Sequence, residues 1–154
     1  MIALRLGFLA YFVLSISVED LRMHKIRNRK LLYFFSFFIF FSLLPRGIHV
    51  NPMAALQFLG IFIVLYVLSN ALHKSGGIGF GDVKLIAVLA LGCFETGFRS
   101  IEIFFVSLWI AVMAHICLYL MMFRKYPHRI AMAPDIFLAS GLYLYAPIEL
   151  LLPQ

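Results

Sequence analysis

Six apolar runs, separated only by short polar breaks, limit what this chain can fold into. They are Ile2 to Val18, Ile26 to Leu44, Pro52 to Leu72, Gly81 to Phe98, Ile101 to Phe123 and Ala133 to Leu151. A helix needs about 20 apolar residues, within a range of roughly 17 to 25, to cross the hydrocarbon core of a bilayer. The breaks carry turn and charge chemistry: Glu19 through Lys30, Pro45-Arg46-Gly47 with Asn51-Pro52, a glycine stretch, Glu95-Thr96-Gly97 through Ser100, and Arg124-Lys125-Tyr126-Pro127. Composition agrees, with 64% hydrophobic and 13% charged residues against roughly half and about a quarter in a soluble domain. We read one all-α integral membrane domain over residues 1–154 with six transmembrane helices. The first run lacks a small-residue cleavage site before a soluble domain, so it reads as a retained span rather than a signal peptide.

The formal net charge of +6 would suggest nucleic acid in a soluble protein, but here it follows topology. Arg22, Lys25, Arg27, Arg29, Lys30, Lys74, Lys84, Arg124, Lys125 and Arg129 all lie in or beside the first, third and fifth loops, against Arg5, Arg46 and Arg99 on the other side. Basic residues mark the cytoplasmic side. Loops one, three and five are therefore expected in the cytoplasm and both termini outside it. The lipid bilayer is the expected partner and nucleic acid is not. Cys93 and Cys117 sit inside apolar runs with no CxxC spacing, so they read as small buried hydrophobes, with no metal site or cofactor implied. The 17 phenylalanines read mostly as lipid-facing bulk.

Two runs are thin. The apolar stretches Leu31–Leu44 and Val83–Phe94, the second already including Lys84, would cover about 20 Å of a core of ~30 Å. Both begin beside a cytoplasmic loop bearing an aspartate, a hint that water reaches below the surface there.

The glycine stretch runs Gly76-Gly77-Ile78-Gly79-Phe80-Gly81-Asp82-Val83-Lys84-Leu85. Glycines weaken a helix, so irregular backbone is expected, delivering Asp82 beside a membrane-length run. Irregular backbone at that depth must be covered by protein or line a wet cavity, and an aspartate there is a functional candidate. Asp20 closes the first run on the same expected side. Two carboxylates held close share a proton. The ionised one can take a proton from water as it attacks a peptide carbonyl, while the protonated one polarises the carbonyl and then protonates the leaving nitrogen. No GxSxG, HExxH or convincing serine–histidine pair competes.

Gly79-Phe80-Gly81-Asp82-Val83-Lys84-Leu85 resembles the GxGDxKL signature of type IV prepilin peptidases, the leader peptidases of the GxGD aspartyl-protease class. The resemblance implies six spans, with one catalytic aspartate at the cytoplasmic end of the first and the other at the start of the fourth; Asp20 and Asp82 fall there. It gives Gly79, Gly81, Lys84 and Asn28 supporting places. Ile26-Arg27-Asn28 departs from the family's isoleucine-proline-asparagine triplet, and Ile130-Ala131-Met132-Ala133-Pro134 is similar to the segment opening its last span, with Asp135 a further departure. The long form's paired cysteines are missing, so the resemblance implies a short, peptidase-only form without methyltransferase activity. It implies a prepilin-like membrane substrate (Flp pilin, pseudopilin or archaellin type) cut at the cytoplasmic face of the plasma (inner) membrane. Whether the chain forms a homodimer is left open.

Lys84 also reads as a snorkelling lysine and Asn28 as a turn residue. Glu19 adjoins Asp20 but points to another helix face. Asp135 suits the positive end of a helix dipole and could approach the pair as a third acid. His115 reads as a hydrogen-bonded packing histidine or, failing that, a proton relay. Two other functions compete: an inert pilus or secretion assembly protein, and a small proton-coupled transporter subunit using Asp20, Asp82 and His115. The glycines carry an expectation of their own. Gly81→Val should impair leader cleavage nearly as badly as loss of Asp82, because a β-branched side chain blocks close approach; normal cleavage by that variant in a leader-processing assay would reduce the stretch to a plain loop.

Overall fold

A computed structural model describes residues 2–44, 47–72, 78–125, 130–146 and 148. Gly76-Gly77, Lys74, Pro45-Arg46, Tyr126-Pro127 and Arg129 lie outside the described residues. Among the described residues the fold is all-α: α1 (Ile2–Met23), α2 (Asn28–Ser42), α3 (Pro52–Leu72), α4 (Phe80–Cys93), α5 (Phe98–Phe123) and α6 (Met132–Tyr145). Of these, α3 and α5 are long and apolar enough to cross a membrane. The 15 residues of α2 and the 14 each of α4 and α6 rise only about 21 to 23 Å at 1.5 Å per residue.

The ends of the expected spans shift accordingly. The fourth was expected to continue to Phe98, but the backbone turns extended at Phe94. Gly97 then takes φ +129°, a conformation in which a side chain is strained, and α5 starts at Phe98 rather than Ile101. The sixth was expected to reach Leu151, yet α6 stops at Tyr145, with Ala146 extended. Pro52 opens α3 and the Asn51 side chain accepts from the Ala54 N–H at 3.2 Å, an N-cap with proline at the first position. The Asn51 N–H in turn reaches Leu91 O at 2.7 Å, fixing the start of α3 to the end of α4.

Helix α4 is the hub, packing on α2, α3 and α6, while α5 pairs with α6 and α1 leans on α6. The core is aromatic, and this corrects the expectation that phenylalanines mainly face lipid. Phe34, Phe37, Phe38, Phe41, Phe58, Phe62, Phe94 and Phe104 are buried. One cluster stacks Phe34, Phe37, Phe38 and Phe41 of α2 with Phe12 of α1. The other joins Phe58 and Phe62 of α3 to Phe94 and Phe104. Short helices with few inward positions fill the space between them with large, rigid side chains. Leucines, valines and methionines such as Leu14, Leu56, Val64, Met121 and Met122 stand exposed, so the outer surface is apolar as well. Cys93 is half-buried, but Cys117 is exposed on the outward face of α5, against the expectation that both are buried.

Gly92 explains how α2 approaches the hub: a Cβ there would overlap the Phe38 ring, itself 1% exposed. Gly92→Ala should therefore destabilise the fold by about 1–3 kcal/mol through overpacking. A lowered melting temperature in detergent, recovered when Phe38→Leu is added, is the expected result.

Candidate active site

Three helix ends converge: the last turn of α1 and the first turns of α4 and α6. Asp20 lies in the α1 turn and is 4% exposed. Beyond it the chain reverses through His24, whose φ is +48° and whose N–H donates to Asp20 O at 2.8 Å. The first N–H groups of a helix have no partner within it, and α6 spends one of them on Asp20: Ala133 N–H donates to Oδ2 at 2.8 Å.

Asp82 sits in the first turn of α4, half-buried. The expectation of irregular backbone carrying it needs correction, because the helix already begins at Phe80, and Gly79 O accepts from the Asp82 and Val83 N–H groups at 3.0 and 3.3 Å. Gly79 is the extended N-cap residue of α4. A Cβ on Gly79 would stand 2.7 Å from Asp82 Oδ2, so glycine leaves the carboxylate its place. Asp82 and Asp135 each lie close enough to Asp20 to feel its charge. Both carboxylates occupy the positive ends of helices, where negative charge is favoured.

The supporting positions meet one another rather than the acids. Lys84 Nζ donates to Asn28 Oδ1 at 3.0 Å and lies 4.6 Å over the Phe80 ring. At about 100° per residue, Lys84 projects from the far side of α4 relative to Asp82, beside a groove of about 390 Å³ lined by Leu31, Leu59, Val88 and Leu91. Gly81 faces Ile26: a Cβ there would come within 3.2 Å of Ile26 Cβ. The Ile26-Arg27-Asn28 segment thus holds the start of α4 at two points. Its own fold is set by Glu19, which pairs with Arg27 Nε at 2.7 Å and Lys30 Nζ at 2.6 Å, while Lys30 also donates to Ser15 O and Oγ. Glu19 faces away from the acids, as its place next to Asp20 on a helix requires.

His115 is hydrogen-bonded, with Nδ1 at 2.8 and 3.0 Å from the two oxygens of Asp135. Two elements of the site were not anticipated. The donor to Asp20 is a backbone group, for which only Pro134, a marker of a first helical turn, gave a signal. The place of Ile26 against Gly81 had none beyond the triplet itself.

A model of the type IV leader peptidase family matches residues 7–118, which takes in Asp20, Asn28, Gly79, Gly81, Asp82 and Lys84 and ends before α6. No curated protein and no solved structure gives a match.

Proposed function

The chain belongs to the type IV leader peptidase family, and from that premise we propose that it is a membrane aspartic endopeptidase. Its substrate is a prepilin-like membrane protein, and Asp20 and Asp82 form the dyad that activates water. The observation that carries this reading is the convergence of the two carboxylates at one junction, Asp82 close enough to feel the charge of Asp20 and Asp20 held through one oxygen by the Ala133 N–H. That grip leaves oxygens for a water and for one shared proton. In the reaction the ionised carboxylate takes a proton from water as the oxygen attacks the scissile carbonyl, and the other hydrogen-bonds the developing oxyanion. Collapse then moves a proton to the leaving nitrogen.

The surroundings support a membrane setting. Six helices among the described residues, two of them long and apolar enough to span, an outer surface rich in exposed apolar side chains and the bias of basic residues support six spans in the plasma (inner) membrane with the dyad at the cytoplasmic side. A substrate whose basic leader stays in the cytoplasm while its apolar helix enters the bilayer presents its cleavage site at that boundary. The close approach of Gly81 to Ile26 gives a physical reason for Asp82 to keep its position beside Asp20: loop one and α4 touch where the two acids are launched.

Asp20→Asn and Asp82→Asn should each reduce leader cleavage by the purified protein to background while the variant still inserts and keeps its helix content. Full processing by either variant would sink the dyad. A wild-type protein that processes no leader-bearing substrate, yet is needed for pilus or secretion assembly in cells, would instead point to an inert assembly protein.

A further inference from the structure

The proposed chemistry leaves one buried acid unused. Asp135 is 3% exposed, and a carboxylate at that depth needs a partner. Its partner is His115 of α5, whose Nδ1 faces both oxygens at 2.8 and 3.0 Å. With both oxygens occupied by one ring nitrogen, Asp135 is turned away from the role of a third catalytic acid.

Its position in α6 gives it another task. Asp135 stands two residues after Ala133, in the same first turn, and Ala133 supplies the N–H that holds Asp20 Oδ2 at 2.8 Å. Between them lies Pro134, whose ring fixes its φ near −65°. A displacement at Asp135 is therefore passed to Ala133 rather than absorbed in the intervening residue. Helix α1, which carries Asp20, packs more on α6 than on α2, so α6 is also its main neighbour.

We propose that the His115–Asp135 pair is a positioning device for Asp20: it ties the first turn of α6 to α5 and so fixes the backbone N–H that orients the Asp20 carboxylate. The proposal rests on the reading of Asp20 as a member of the dyad. It distinguishes His115 and Asp135 from a pair that merely holds the bundle together. A purely stabilising buried pair can be replaced by two apolar side chains with little or no loss, whereas misplacing a reacting group by about 1 Å can cost on the order of a hundredfold in rate.

The test uses the purified full-length protein in detergent with a leader-bearing substrate that the wild type cleaves, measuring kcat, KM and melting temperature. His115→Leu should lower kcat by about tenfold to a hundredfold with KM unchanged, since the pair does not touch substrate. His115→Asn, whose amide N–H can stand where Nδ1 does, should recover most of that loss. The Asp135→Leu/His115→Leu double variant should keep the wild-type melting temperature and still show the low kcat. Wild-type kcat in the double variant overturns the proposal, as does a rise in KM with kcat intact. If His115→Leu alone does not fold, the double and the asparagine variants make the comparison without it. Asp82→Asn runs beside them: cleavage by that variant refutes the dyad itself, whereas an inactive Asp82→Asn with a fully active double variant refutes only the positioning role.

Discussion

The unpaired N–H groups at the start of α6 are what the rest of the site depends on. Every helix begins with donors that its own hydrogen bonds cannot satisfy, and in an apolar setting each one left unmet is costly. Here the Ala133 N–H goes to Asp20 at 2.8 Å. One solution serves two needs. The backbone donor gains an acceptor, buried Asp20 gains a donor, and Asp82 in the first turn of α4 has the favourable end of a helix dipole. The Ala133 bond also crosses between elements, since an α1 side chain terminates α6, so Asp20 is part of the fold before it is part of any chemistry.

A second constraint keeps Asp20 and Asp82 in register. Loop one is short and is folded on itself by Glu19, which is only 9% exposed at its side chain and pairs with both Arg27 and Lys30. Exposed ion pairs contribute little, but one carboxylate held by two cations, with Lys30 further anchored on Ser15, fixes the path of the chain from α1 to α2. That path presses Ile26 onto Gly81 and brings Asn28 to Lys84. Arginine at position 27, where the related pattern has proline, is used in this clamp: a side-chain ion pair restrains the loop that a proline ring would otherwise stiffen.

The acids were legible in the sequence because glycines, a charged break and two short apolar runs are local signals. So were the number of helices and their approximate limits. Three things were not. Which phenylalanines face inward cannot be read when both faces of a helix are apolar, since the usual contrast between polar and apolar faces is missing; the buried rings of Phe58, Phe62 and Phe104 look in sequence like exposed Phe98 and Phe123. The helical state of Phe80 to Asp82 was masked by glycine propensity, which tertiary packing against Ile26 overrides. The pairing of His115 with Asp135 joins two helices through a contact that no spacing rule encodes.

The contact of His115 with Asp135 has a consequence for depth. His115 lies eight residues before the end of α5 at Phe123, which at 1.5 Å per residue is about 12 Å of helix. Because His115 meets Asp135 in the first turn of α6, α6 begins that far below the end of its neighbour. The first N–H groups of α6 therefore lie at a level that α5 still passes as a helix. A donor at such depth must be met by protein or by water. Ala133 is met by Asp20. A sunken helix start flanked by acids is thus a geometric result of joining one long helix to one short helix. The same step that makes Asp20 necessary to the backbone sets it below the end of α5, buried at the junction of α1 and α6.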